Sequence, residues 1–211
     1  MSDRMFSYDE VTAAFRYASH WWRSLVGAVE DGVWDRPALG EWSTRELVAH
    51  TNRAYRTIVE YVEGEAKDPT PITSAAEYFR IVLAEETPHV HIAERARREA
   101  GEYGDRDVVA LTEDFARSAM RLVETAAGET VMHLFVGEMA LQQYLATRVV
   151  ELVVHGLDLA KALALPTDAP SESAKVALAV FVDLSEPADL SSVTRLFTGR
   201  PVSLPLRNVL G

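Results

Sequence analysis

An all-α fold, a four-helix bundle with a short, mainly helical C-terminal extension, is expected of this 211-residue chain. Three features carry that expectation. Apolar residues recur at helical spacing over four long segments. A capping box opens one of them. Glycines and prolines fall mostly between the segments.

The first segment, Tyr8–Glu30, sets Val11, Phe15, Ala18, Trp22, Leu25 and Val29 on one face. Gly32 and Pro37 break it, and Gly32–Glu41 reads as a loop. The second starts where Ser43 can cap free N–H groups and Glu46 sits three residues on. Leu47, His50, Ala54, Ile58 and Tyr61 then share a broad face up to Gly64, and Lys67–Pro71 reads as a polar loop. A third region, Ser74 to about Ala100, contains Pro88, which kinks or splits it. Its charged run Glu94–Glu99 reads as a solvated face, and Gly101 and Gly104 as a connection. The fourth segment, Asp107–Ala127, ends at Gly128. Val131–Val136 is either a short extended piece or the lead-in to a helix.

Ala140–Leu163 is the strongest helix in the chain, stopped by Leu165, Pro166 and Pro170. Shorter helices are expected over Ser171–Leu184 and Asp189–Phe197, with Gly199 closing the latter. A boundary near Pro166 divides a bundle, 1–166, from an extension, 167–211, packed on it.

With 48% hydrophobic and 25% charged residues, the chain can bury a sizeable core. Its formal net charge of −11 repels phosphate backbones, so no nucleic-acid partner is expected. There is no cysteine, which excludes disulfides, an internal thiolate nucleophile and Cys metal ligands. Any thiol chemistry needs a thiol from outside. The N-terminal residues include Asp3, Arg4, Asp9 and Glu10 and no apolar core, and no run of about 20 apolar residues follows. The expectation is a cytoplasmic protein with no membrane partner, monomeric or homodimeric.

The chemistry concentrates in Tyr144–Ala160. Tyr144, Arg148, Glu151, His155 and Asp158 fall within a sector of about 80° at 100° per residue. They form one polar stripe flanked by Val149, Val150, Leu152, Val153, Val154, Leu157 and Leu159. Glu151 and His155, four apart, can point into one small volume and are sound ligands for a divalent ion. A third ligand has to come from elsewhere, and His50 is the best candidate. The same residues also suit a buried hydrogen-bonded network completed by Arg148 and Asp158. Spacing alone leaves both readings open. His89 and His91 do not share a helical face, His20 reads as packing, and His133 could face the cavity. Trp21, Trp22, Trp34 and Trp42 read as core and loop anchors.

Two stretches carry a family likeness. GEWSTRELVAHTNR (Gly40–Arg53) and TRVVELVVHGLDLAKAL (Thr147–Leu163) resemble the paired elements of the mycothiol-dependent maleylpyruvate isomerase N-terminal family, part of the DinB-like four-helix bundles. The likeness runs over about Tyr8–Leu165. It implies a metal triad at His50, Glu151 and His155, with Arg148 and Asp158 at accompanying polar positions. It implies zinc first, with nickel or another divalent ion as alternatives, and mycothiol as cosubstrate. In the isomerase, a thiolate adds to a cis double bond, the carbon–carbon bond rotates, and elimination gives the trans product. VTRLFTGRP (Val193–Pro201) resembles the ending of shorter relatives, which points to a thiol-dependent transferase or isomerase acting on a small electrophile. Arg148 and Tyr144 are then the candidates beside the reacting groups. Arg53 and Arg148 are candidates for holding the thiol or an oxo-acid carboxylate, and Asp158 for supporting His155. The alternative is a metal- or ligand-binding bundle without turnover.

Overall fold

The computed structural model describes residues 6–64, 69–84, 88–104 and 106–202, with backbone only for 88–92. Lys67, the side chains of His89 and His91, and the tail beyond Val202 lie outside the described residues. Eight α-helices occur among those described: α1 (Tyr8–Gly27), α2 (Thr44–Glu63), α3 (Ala75–Leu83), α4 (Pro88–Tyr103), α5 (Val108–Thr125), α6 (Leu141–Ala162), α7 (Ser171–Leu184) and α8 (Pro187–Phe197). Two antiparallel hairpins join them, β1 (Pro37–Leu39) with β2 (Trp42–Ser43), and β3 (Val131–Leu134) with β4 (Gly137–Ala140).

Helices α1, α2, α5 and α6 close a four-membered ring: α1 packs on α5 and α6, and α2 packs on the same two. Helix α4 lies on α2, and α3 and α7 lie on α6. The fold is therefore an all-α bundle with added C-terminal helices. Its core draws on every helix of the ring, through Phe15 and Trp22, Leu47 and Ile58, Ala116 and Val123, and Leu145 and Leu152. Helix α7 adds Val176, Ala177 and Val180 to that core, and its buried Ser173 Oγ donates to the Ala14 carbonyl at 2.7 Å.

The capping box at Ser43 forms: the Ser43 N–H donates to Glu46 Oε2 at 2.7 Å, and the Glu46 N–H to Ser43 Oγ at 3.2 Å. The next free donors of α2 are met by the preceding loop, Thr44 N–H on the Arg36 carbonyl and Arg45 N–H on that of Trp34, each at 2.9 Å. Helix α6 has no side-chain cap. Its first amides, Leu141 and Gln142, donate instead to the carbonyls of Thr130 and Gly128, at the entry to β3.

Three local expectations are corrected, for Gly32–Glu41, Gly101 and Glu99, and two open ones are resolved, at Pro88 and at Val131–Val136. Gly32–Glu41 is not all loop: it ends a 3-10 turn, Asp31–Val33, and holds β1. Ser74–Ala100 is two helices, and Pro88 opens the second, where its missing N–H costs nothing. That second helix runs through Gly101. Glu99 is not on a solvated face: it is buried, with Arg53 Nη1 on its Oε1 at 2.6 Å. The ambiguous Val131–Val136 supplies β3 and the turn of a hairpin. Gly137 has φ +146°, and a Cβ there would overlap the Thr70 carbonyl oxygen, so the turn requires glycine.

Candidate metal centre

Helix α6 meets α1, α2, α3 and α7, so it is covered nearly all round. A polar stripe on such a helix has nowhere to go but inward. Helix α2 brings His50 opposite, two turns after the cap at Ser43. The His50 and His155 rings lie 4.9 Å apart, centre to centre. His50 Nε2 is 3.7 Å and His155 Nε2 is 3.4 Å from the same oxygen, Glu151 Oε2. One ligand atom from each of the three residues falls within 4.8 Å of the others.

These separations bear on both readings left open by spacing. An N–H···O hydrogen bond spans about 2.7–3.2 Å, so both contacts are too long for a well-made network. Ligand atoms about 2.0–2.1 Å from a tetrahedral zinc lie about 3.3–3.4 Å apart. The donor set, two imidazole nitrogens and a carboxylate oxygen at 3.4 and 3.7 Å, can hold a divalent ion after small adjustments.

Asp158 sits behind His155. Its Oδ2 is 3.1 Å from His155 Nδ1, which fixes the tautomer with Nδ1–H donating and leaves Nε2 to face Glu151. The electrostatics follow from this asymmetry. Burial lowers the pKa of His50, and Glu151 only partly offsets it. Burial also opposes charge on His155, but Asp158 and Glu151 together outweigh it and raise its pKa to about 9. Burial would raise that of Glu151, yet the two imidazoles and Arg148 hold it well below the usual carboxylate range.

The remaining expected residues separate. The Arg148 guanidinium is buried, with its carbon 4.7 Å from the Tyr144 ring centre and 5.8 Å from that of Tyr78. Tyr144 is fully buried and donates its hydroxyl to Thr57 Oγ1 at 2.6 Å. Arg53 is engaged by Glu99, and its charge still reaches His50. His133 pairs with Glu138 across the β3–β4 hairpin at 2.9 Å.

Two contributors were not assigned to the centre from the sequence: Trp42, read there as an anchor, and Tyr78. Trp42, on β2, packs its ring 4.9 Å from that of His50 and 6.5 Å from that of His155. Its place next to the cap residue Ser43 was the available signal. Tyr78 comes from α3, and nothing in the spacing links it to α6.

With this geometry in hand, comparison with known proteins gives one result. A family model, the mycothiol maleylpyruvate isomerase N-terminal domain, matches residues 15–160. The matched span includes His50, Glu151 and His155 and stops before α7. No curated protein and no solved structure matches the chain.

Proposed function

Because the chain belongs to the mycothiol maleylpyruvate isomerase N-terminal domain family, we propose that it is a metal-dependent enzyme using mycothiol, or a similar small thiol, on a small electrophile. The reaction is isomerisation or S-transfer. The observation that supports this reading is the convergence of His50 Nε2 and His155 Nε2 on one oxygen of Glu151. Zinc is the ion that suits two imidazoles and a carboxylate best, with nickel as the alternative.

A bound dication would stabilise the thiolate form of a nearby thiol at neutral pH. The protein's own groups do the rest. His50, Glu151 and His155 hold the ion, and Asp158 keeps the His155 ring turned toward it. Trp42 flanks both imidazoles. Arg53, held by Glu99 and close enough for its charge to act on His50, is a candidate for an anionic group of the thiol or substrate. For isomerisation, a carbon–sulfur bond forms at the double bond, the carbon–carbon bond rotates, and the carbon–sulfur bond breaks. The thiol is returned unchanged. For transfer, the carbon–sulfur bond persists and the electrophile's leaving group departs with the electron pair.

Hydrolysis is the competing chemistry for such a centre. It needs a general base to take a proton from water. The two carboxylates that touch the imidazoles are already engaged, Glu151 with both rings and Asp158 with His155. A thiol, with a free pKa of about 8.5, needs far less help. Zero cysteines in the chain agree with an external thiol.

The test is turnover of a panel of electrophiles and cis-enoyl oxo-acids by zinc-loaded protein, with and without mycothiol. Turnover is expected only when both thiol and metal are supplied. Equal rates without thiol would overturn the thiol assignment. No turnover with any thiol would return the chain to a metal-binding bundle without catalysis.

A further inference from the structure

Arg148 stands one turn before Glu151 on α6, and only 6% of it is exposed. Its Nε donates to Thr147 Oγ1 at 3.0 Å. Its Nη2 lies 3.8 Å from Glu151 Oε1. The other oxygen, Oε2, is the one both imidazoles approach. The two oxygens of this carboxylate therefore have different neighbours, a guanidinium on one side and the paired imidazoles on the other.

Burying a guanidinium is costly unless it is paired and covered by groups that favour its charge. Tyr144 and Tyr78 supply that cover through their ring faces. The tyrosines are held in turn: Tyr144 by its hydroxyl on Thr57, and against the Tyr61 ring at 5.6 Å and the Tyr78 ring at 6.1 Å. An arginine so enclosed has little surface left for an outside carboxylate.

We infer that Arg148 is a positioning residue: caged by Tyr144 and Tyr78, it draws Oε1 of Glu151 by its charge from 3.8 Å, beyond hydrogen-bond range, and so favours Oε2 as a one-oxygen ligand between His50 and His155. The inference rests on the metal reading above and adds a role to it. A carboxylate that binds through one oxygen occupies one coordination position, leaving room for the sulfur of a thiol.

Zinc affinity, measured by competition with a chromophoric chelator, tests this without any substrate. R148M should bind zinc about 10–100-fold more weakly than the native chain, the usual cost of losing a partner that orients a ligand. Y78L should bind several-fold more weakly, while Y78F, which keeps the ring and loses only the hydroxyl that also meets Arg148, should recover most of the native affinity. Native affinity in folded R148M would overturn the inference, and a raised KM for oxo-acids alongside it would make Arg148 a substrate clamp. If R148M does not fold, Y78L decides: weaker binding rescued in Y78F supports the cage, and native affinity in Y78L overturns it. Failure of the native chain itself to bind zinc would count against the metal reading instead.

Discussion

His155→Ala is expected to purify with almost no divalent metal, and the native chain with about one ion, the stoichiometry of a single three-ligand centre. The imidazole removed is one of only two, and its Nε2 is the nitrogen closer to Glu151, at 3.4 Å. The carboxylate and His50 that remain form a two-ligand site. Affinity should fall by more than about 100-fold, since an outer partner alone accounts for 10–100-fold. Asp158→Asn should show that smaller effect, because an amide holds the Nδ1–H of His155 less firmly than a carboxylate. Elemental analysis after expression in zinc-supplemented medium checks both. Undiminished metal in H155A would place the ion elsewhere.

Gly156→Ala is expected to destabilise the bundle although alanine favours a helix. A Cβ at Gly156 would overlap Trp21 Cζ3 and lie 2.9 Å from Cε3 and Cη2. The indole is rigid, so either α1 and α6 part or Trp21 leaves its packing. Overpacking of this kind costs about 1–3 kcal/mol, against about 1 kcal/mol gained in helix propensity. So close an approach to a rigid ring puts the clash at the upper end of that range, about 2–3 kcal/mol, so a net loss of about 1–2 kcal/mol is expected, or roughly 2–8 °C in Tm for a chain of this size. Thermal melts of the metal-free protein measure it. Adding Trp21→Leu should recover part of the loss, because the clash and the indole form one interaction. An unchanged or higher Tm in G156A would contradict the close approach of α1 to α6.

What the amino-acid order reveals follows from how local each signal is. The capping box at Ser43 and Glu46 is contained in four residues, so the start of α2, and with it the facing of His50, could be read directly. The stripe on α6 was readable because its polar residues interrupt an apolar helix at one angle. The hairpin at β3 and β4 was not, because its short strands carry little periodicity and its turn rests on one glycine, Gly137. Glu99 was misplaced for a related reason. It belongs to a charged run, and only the packing of α4 on α2 turns it inward against Arg53. Arg148 and Asp158 were both recognised as companions of Glu151 and His155. Their partners were open between each other and the ligands, and three-dimensional distances resolve this: Asp158 meets His155, and Arg148 meets Glu151 and two tyrosines. Tyr78 lies on α3, and such long-range company has no local trace.

Anomalous diffraction at the zinc edge, from crystals of the zinc-loaded protein, locates the ion itself. One strong peak is expected about 2.0–2.2 Å from His50 Nε2, His155 Nε2 and Glu151 Oε2. A peak bound by other residues, or full zinc loading with no peak between α2 and α6, would contradict it.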